Sequence, residues 1–252
     1  MAVTEAMLAG RTALITGASS GFGAHFAKLL ASKGAAVIAT ARREDQLVAV
    51  ADDIRAAGGT CDIAPLDVTD SASIAALGGL LDRVDILVNN AGIVRTAAAL
   101  DQSEEDWDVV MDTNLKGMFL MAQAVAKAMR ARKAGGSIVN IASVVGLRQS
   151  GGVLPYAVSK AGAIQLTKML ALELARFGIR VNALAPGYVE TDLNRDFFQS
   201  DAGQAMLKRI PQRRLGVVED LDGPLLLLAS DASAYMTGSV IAVDGGHLLS
   251  TL

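Results

Sequence analysis

Thr12-Ala13-Leu14-Ile15-Thr16-Gly17-Ala18-Ser19-Ser20-Gly21-Phe22-Gly23 is the stretch that decides the fold. An aliphatic run ending in Thr runs straight into a glycine-rich turn, and an Ala-rich amphipathic segment, 21–32, follows. The first part has the make-up of a buried strand and the last that of a helix. Glycines let the backbone turn tightly and leave the free N–H groups of the following helix open to an anion. The spacing is Gly-x-x-x-Gly-x-Gly, not the usual Gly-x-Gly-x-x-Gly fingerprint. Its position between a first strand and a first helix nonetheless makes it a candidate pyrophosphate cradle.

Outward from this unit the pattern repeats. Short apolar runs at 12–16, 36–41, 61–66, 85–89, 137–141, 180–184 and 240–243 alternate with longer amphipathic ones. The helical segments expected between them are 21–32, 44–57, 71–81, 104–132 (broken near Asn114), 156–177 and 219–229. Such alternation predicts βαβ units: an α/β, Rossmann-type, doubly wound parallel sheet of about seven strands, with helices on both faces. Most of the strands are apolar on both sides, as strands sandwiched between helix layers must be. No repeat, low-complexity tract or linker interrupts residues 1–252, so one domain is expected, with residues 188–214 as a substrate lid.

Composition narrows the function classes. Hydrophobic residues make up 52% and aromatics only 4%, so the core must be built from Ala, Val, Leu and Ile. Net charge is −3 with Lys and Arg scattered, which argues against a nucleic-acid or anionic-membrane partner. Cys61 is the sole cysteine, which excludes an intrachain disulfide and a cysteine cluster, and His25 and His247 stand far apart, so no metal motif forms by spacing. No run reaches membrane-spanning length and residues 1–11 lack an apolar leader core, from which a cytoplasmic location is expected.

The end of the second strand bears on the cofactor. An acid there binds a ribose 2′-hydroxyl, whereas an Arg accommodates a 2′-phosphate. Here the strand ends without a carboxylate and is followed by Arg42-Arg43. NADP(H) is therefore favoured, with Arg42 as the contact; NAD(H) is the alternative.

Further along, Tyr156 and Lys160 are four apart and share one face if the segment is helical. A neighbouring ammonium favours phenolate, which makes a Tyr usable as a proton donor or acceptor. With Asn114, Ser143, Asp67-Val68, Asn89-Asn90-Ala91-Gly92 and Pro186-Gly187 in order around them, the chain resembles the short-chain dehydrogenase/reductase family along its whole length. The 13-residue step from Ser143 to Tyr156 fits the same pattern, and Phe22 departs from it where Ile or Leu is usual.

The resemblance implies a catalytic tetrad of Asn114, Ser143, Tyr156 and Lys160. Tyr156 would be the general acid in reduction and the base in oxidation, and Lys160 would lower its pKa and bind the nicotinamide ribose. Ser143 would hold the substrate oxygen, and Asn114 would anchor a water leading from Lys160 to solvent. Gly17, Ser19, Ser20, Gly21, Phe22 and Gly23 would cradle the cofactor phosphates. Asp67 and Val68 would meet the adenine, Asn90, Ala91 and Gly92 its ribose side, and Pro186, Gly187, Val189 and Thr191 the nicotinamide end.

The implied substrate wall comprises Ser143, Val145, Leu147, Leu154, Tyr156 and Tyr188. Its apolar look favours a hydrophobic ketone or 3-oxoacyl group, as in the 3-oxoacyl-(carrier-protein) reductases and ketone reductases that the chain is similar to. Arg95, Arg148 and Arg195 are the nearby cations. The rival within the fold is an NAD-dependent dehydrogenase oxidising a hydroxyacid or sugar-derived alcohol. A non-catalytic nucleotide sensor would be expected to lack part of the tetrad, and an enoyl reductase would have a wider Tyr–Lys spacing. The resemblance further implies a homotetramer paired through the segments 104–132 and 156–177; the face of Met118, Met121, Ala122, Val125 and Met129 fits such a contact and an internal core equally well.

Overall fold

The computed structural model describes residues 6–190, 198 and 200–249. Seven parallel strands form one sheet in the order β3-β2-β1-β4-β5-β6-β7. They are β1 (Thr12–Thr16), β2 (Ala36–Ala41), β3 (Thr60–Pro65), β4 (Ile86–Asn89), β5 (Gly136–Ile141), β6 (Ile179–Pro186) and β7 (Val240–Val243). The chain moves outward from β1 to β3, then returns to the centre and continues from β4 to β7. The strand order therefore reverses between β1 and β4, and a crevice opens there at the carboxyl ends of the strands.

Side-chain alternation divides the core. Ala13, Ile15, Val37, Ala39, Ile86 and Val88 point to one face, while Leu14, Ile38 and Leu87 point to the other. The first face is covered by α1 (Gly21–Ser32), α2 (Glu44–Ala56) and, later in the chain, a helix at Asp222–Ala229, through Phe26, Leu30, Leu47 and Leu225. The second is covered by α3 (Ser71–Ala75), α5 (Gly117–Arg132) and α6 (Leu154–Leu174). The remaining helices are α4 (Glu104–Met111), α7 (Asp201–Leu207) and the Asp222–Ala229 helix, α8.

Three expectations need correction. The predicted helix 71–81 stops at Ala75 and resumes as a 3-10 turn, Gly78–Arg83. Gly78 sits at φ 47°, and a left-handed residue cannot continue a right-handed helix. Secondly, the predicted break near Asn114 is a π-turn, Asp112–Lys116, that joins α4 to α5 without interrupting them. Thirdly, Met118, Met121, Ala122, Val125 and Met129 are all buried within the protomer, so this face is core and cannot pair subunits. Phe119 on α5 and Leu154, Val158, Met169 and Leu172 on α6 are the exposed large apolar residues instead.

The first helix comes close to the glycine turn, and Gly23 is the point of contact. A Cβ there would collide with the Gly17 carbonyl and sit 2.6 Å from Asn90 Nδ2. Gly23→Ala is accordingly expected to destabilise by about 3 kcal/mol or more in urea unfolding, as overpacking against backbone does. Gly223→Ala, in α8 with open space around it, is the matched control and should change stability by about 1 kcal/mol at most, in the stabilising direction.

Candidate active site

The reversal between β1 and β4 is clasped by polar groups. Thr16 Oγ1 accepts the backbone N–H of Asn90 (3.0 Å) and of Ala91 (3.0 Å), and Asn90 Nδ2 returns to the Thr16 carbonyl (3.0 Å) and the Gly17 carbonyl (3.3 Å). The glycine turn is thus fixed against the strand beside it. Ser20, the residue preceding α1, makes no side-chain cap to the helix. Its hydroxyl accepts from Arg43 Nη2 (2.8 Å), and the same nitrogen reaches the Ser19 hydroxyl (3.0 Å). The first-turn N–H groups of α1 are left uncapped, and Gly21 borders open space. That combination suits an anionic group bridging helix and turn.

Arg43, and not the expected Arg42, reaches over the turn. Arg42 is exposed at the end of β2, and its charge helps to hold the Asp67 carboxyl low. The larger causes of that lowering are the Thr69 N–H (2.9 Å) and hydroxyl (2.7 Å), which both donate to Asp67 Oδ1. Val68 is buried beneath it. Asp67, Asn90 and the glycine turn all stand at the carboxyl ends of neighbouring strands.

On the other side of the crevice, α6 carries Tyr156 and Lys160. Lys160 is 3% exposed and its Nζ donates to the Ile141 carbonyl at the end of β5 (2.7 Å). Burial lowers its pKa to about 8. The ammonium lies 5.5 Å from the centre of the Tyr156 ring. Tyr156 keeps partial solvent access, but burial pushes its pKa above the ordinary phenol value; the Ser143 hydroxyl, hydrogen-bonded to it, pulls the other way. The expected lowering of Tyr156 by Lys160 is not what the protein alone produces. Desolvation works on both groups towards their neutral forms, and Ser143 supplies the opposing pull.

Asn114 occupies the middle of the π-turn and is fully buried. Its Oδ1 accepts the Ile93 N–H (2.8 Å), and its Nδ2 donates to the Ile93 carbonyl (2.9 Å) and the Ser159 hydroxyl (3.1 Å). Ser159 donates in turn to the Tyr156 carbonyl (2.7 Å). Both amide hydrogens are therefore committed to protein, and the side chain acts as a clasp between α6 and the loop after β4.

Gly187 continues the floor of the crevice, where its N–H donates to the Val243 carbonyl (2.8 Å). Pro186 ends β6, and Val189 is buried beyond it. Thr191 and Arg195 lie outside the described residues. Of the expected substrate wall, Ser143, Val145, Tyr156 and Tyr188 come together, whereas Leu147 and Leu154 are exposed and do not line the adjoining cavity. Arg95 is taken up by an ion pair with Asp106 (3.3 Å). The cavity instead holds Arg148, Arg209 and His247. His247, which no motif marks in the sequence, packs its ring 5.3 Å from that of Tyr188. Among the described residues no cluster of three metal-ligating side chains forms, and no helix is long and apolar enough to cross a membrane.

A Rossmann-type sheet with a glycine turn on one side of its switch point and Ser143, Tyr156 and Lys160 on the other is the architecture of an NAD(P)-dependent oxidoreductase. The chain belongs to the short-chain dehydrogenase/reductase family: the family model described as Enoyl-(Acyl carrier protein) reductase matches residues 17–247. The 3-oxoacyl-(acyl-carrier-protein) reductase FabG of Thermotoga maritima is 43% identical over 246 residues, 96% of this chain and 99% of the relative. The same-named protein of Escherichia coli strain K12 is 42% identical over 241 residues, 94% of this chain and 97% of the relative. A gluconate 5-dehydrogenase from Burkholderia cenocepacia J2315, solved in complex with NADP and tartrate, superposes with a TM-score of 0.94 at 40% identity, covering 100% of both chains. A short-chain type dehydrogenase/reductase from Mycobacterium marinum follows at 0.89 and 43%, covering 95% of this chain and 96% of that one.

The burial of Lys160 has a measurable signature. With a folded pKa of about 8 against 10.5 in the open, the cost of holding the ammonium is fully present below pH 8 and is relieved as pH rises towards 10.5. Wild-type protein should therefore gain stability relative to Lys160→Met across that window, by up to about 3 kcal/mol at 1.4 kcal/mol per unit. Urea unfolding of both proteins at pH 7, 8, 9 and 10 measures the difference; a pH-independent gap would mean that Lys160 is not desolvated.

Proposed function

We propose that the protein transfers a hydride between NADP(H) and a ketone/secondary-alcohol pair, with Tyr156 exchanging the proton. The observation that carries this reading is the convergence of the Ser143 hydroxyl, the Tyr156 phenol and the buried Lys160 ammonium beside an uncapped, glycine-lined helix start. A bound nicotinamide would supply or accept the hydride. The chain's own residues do the rest. Tyr156 gives its phenolic proton to the carbonyl oxygen in reduction and takes it back from the alcohol in oxidation. Ser143 donates to the same oxygen as negative charge builds on it. Lys160 steadies the phenolate that remains, and Asn114 is a positioning residue that holds α6 against the Ile93 loop.

Phosphates would lie on Gly17, Ser19, Ser20, Gly21, Phe22 and Gly23, with Asp67, Val68, Asn90, Ala91 and Gly92 around the adenosine and Pro186, Gly187, Val189 and Thr191 around the nicotinamide. Preference for NADP(H) is supported by Arg42 and Arg43 at the end of β2, where no carboxylate stands to meet a 2′-hydroxyl. Carbonyl chemistry, in place of the double-bond reduction in the family model's description, is supported by the four-residue Tyr156–Lys160 spacing and the Ser143 contact to Tyr156. Assembly as a homotetramer is supported by the exposed Phe119, Met169 and Leu172.

Nicotinamide absorbance with NADPH or NADH, against a carbonyl panel of 3-oxoacyl thioesters, oxo acids and aryl ketones, tests the reading. Tyr156→Phe should lower kcat by about 100-fold or more while NADPH still binds, the loss typical of a missing general acid. Arg43→Ala should raise the KM for NADPH about tenfold, as removal of one charge-assisted contact does, and leave the KM for NADH nearly unchanged. Full turnover by Tyr156→Phe would overturn the proton assignment, and an equal effect on both cofactors would remove Arg43 from 2′-phosphate recognition.

A further inference from the structure

α1 begins with the uncapped turn assigned to the cofactor phosphates, and one of its side chains ties it to a distant part of the chain. His25 stands one turn after Gly21, and its Nε2 meets Asp222 Oδ1 in the first turn of α8 at 2.6 Å. A carboxylate only accepts hydrogen bonds, so the imidazole Nε2–H is the donor. The two side chains are 22% and 28% exposed, which leaves water limited room to compete for the bond. They lie 197 residues apart, so no motif marks the pair in the sequence.

Elsewhere α1 and α8 share an apolar cluster that holds Phe26, Leu30, Leu225 and Leu226. Apolar attraction is non-directional, whereas a short hydrogen bond fixes a distance and an angle. The His25–Asp222 bond is the only side-chain hydrogen bond between the two helices among the described residues, and it sets their register.

From Asp222 the connection runs on to the other end of the crevice. The 3-10 turn Val218–Leu221 immediately precedes α8. Its Asp220 accepts from Arg214 Nη1 (2.6 Å) and Nη2 (2.9 Å) and from the Val217 N–H (2.8 Å). Between these two residues, the Gly216 N–H donates to the Tyr188 carbonyl (2.9 Å), and the Glu190 N–H donates to the Gly216 carbonyl (2.9 Å). Val189, in the middle of that segment, belongs to the same apolar cluster as Leu221 and Phe26. The links thus run from the helix behind the phosphate turn to the segment assigned to the nicotinamide, through residues with no assigned cofactor contact.

We propose that His25 and Asp222 are positioning residues that hold the two ends of the NADP(H) site at a fixed separation. The inference rests on the proposed placement of the phosphates on the glycine turn and of the nicotinamide beside Val189. A dinucleotide bridging two segments binds at full affinity only when their spacing is set beforehand; otherwise part of its binding free energy goes into ordering them. Without the tie, α1 keeps its apolar packing, and the glycine turn keeps its clasp between Thr16 and Asn90. Each half of the site survives while the separation between them loosens. The effect is therefore confined to ligands long enough to touch both ends.

Titration calorimetry with NADP⁺, and with adenosine 2′,5′-bisphosphate as the phosphate end alone, isolates that effect. His25→Ala and Asp222→Ala are each expected to weaken NADP⁺ about tenfold, within the range typical of coupled sites, and to leave the bisphosphate within about twofold. The double variant should be no weaker than either single one, since the two residues act as a unit. His25→Gln, which puts an amide N–H where the imidazole Nε2–H stood, should recover most of the loss. Retained bisphosphate binding shows that the variants fold. Equal weakening of both ligands would overturn the proposal, because the pair would then support the phosphate turn alone. Unchanged NADP⁺ affinity in the Ala variants would overturn it as well.

Failure of the wild-type protein to bind either ligand would strike at the cofactor site instead. Amide hydrogen exchange in the ligand-free protein then decides the tie by itself. In His25→Ala, exchange at Gly216 and Glu190 should quicken about fivefold or more, with β4 unchanged and His25→Gln close to wild type. Rates unchanged at both positions, or raised equally in β4, would reject the tie.

Discussion

Everything on the carboxyl edge of the sheet depends on the clasp between Thr16 and Asn90. A parallel sheet buried on both faces has few polar groups to spare, and its order reversal pulls the loops after β1 and β4 in opposite directions. Thr16 Oγ1 takes two backbone N–H groups from the far strand's loop, and Asn90 answers with its amide to two carbonyls of the near one. An unmet buried donor or acceptor costs about 1–3 kcal/mol, so leaving this set unmade would be severe. The consequence is geometric: with both loops fixed, the glycine turn can stay open and α1 can start without a cap. The free helix terminus is thus a product of rigidity elsewhere.

The opposite wall follows the same logic with charge added. Lys160 could not be held at 3% exposure by hydrophobic packing, which gives an ammonium nothing. The Ile141 carbonyl at the end of β5 supplies one partner, and α6 is registered by Asn114 through Ser159. The π-turn at Asp112–Lys116 belongs to this arrangement, because it sets Asn114 inward from the junction of α4 and α5. A site that needs a partly desolvated phenol and ammonium side by side therefore has its cost distributed over three loops. This explains why its members are scattered from residue 114 to residue 160.

How much of this was legible in the sequence depended on whether a residue's role is local. The strands were legible because aliphatic runs bounded by glycine and polar residues leave few alternatives; β1, β2 and β7 begin and end where the pattern predicts. Tyr156 and Lys160 were legible because helical spacing alone puts them on one face. Gly78 looked like a tolerable residue inside a helix until its left-handed backbone ended it. Which of Arg42 and Arg43 crosses the glycine turn depends on side-chain direction, which two adjacent arginines do not encode. Met121, Val125 and Met129 fitted a core and an interface equally, and only packing against Leu14, Ile38 and Leu87 decided for the core.

The lining of the cavity beside Ser143 was the least legible part, because it is assembled from three distant pieces of chain that carry no motif. Arg148 follows Ser143 in a turn, Arg209 lies just beyond α7, and His247 follows a glycine pair near the C-terminus. Each reads alone as a solvated surface residue, and for most arginines that reading is right. What changes it is convergence on one cavity adjoining a phenol that already has a hydroxyl partner. Family membership makes the chain an NAD(P)-dependent oxidoreductase, and Ser143 and Lys160 are held at the carboxyl end of β5. Which carbonyl compounds reach them is decided by loops that the sheet merely carries, and there the fold has no say.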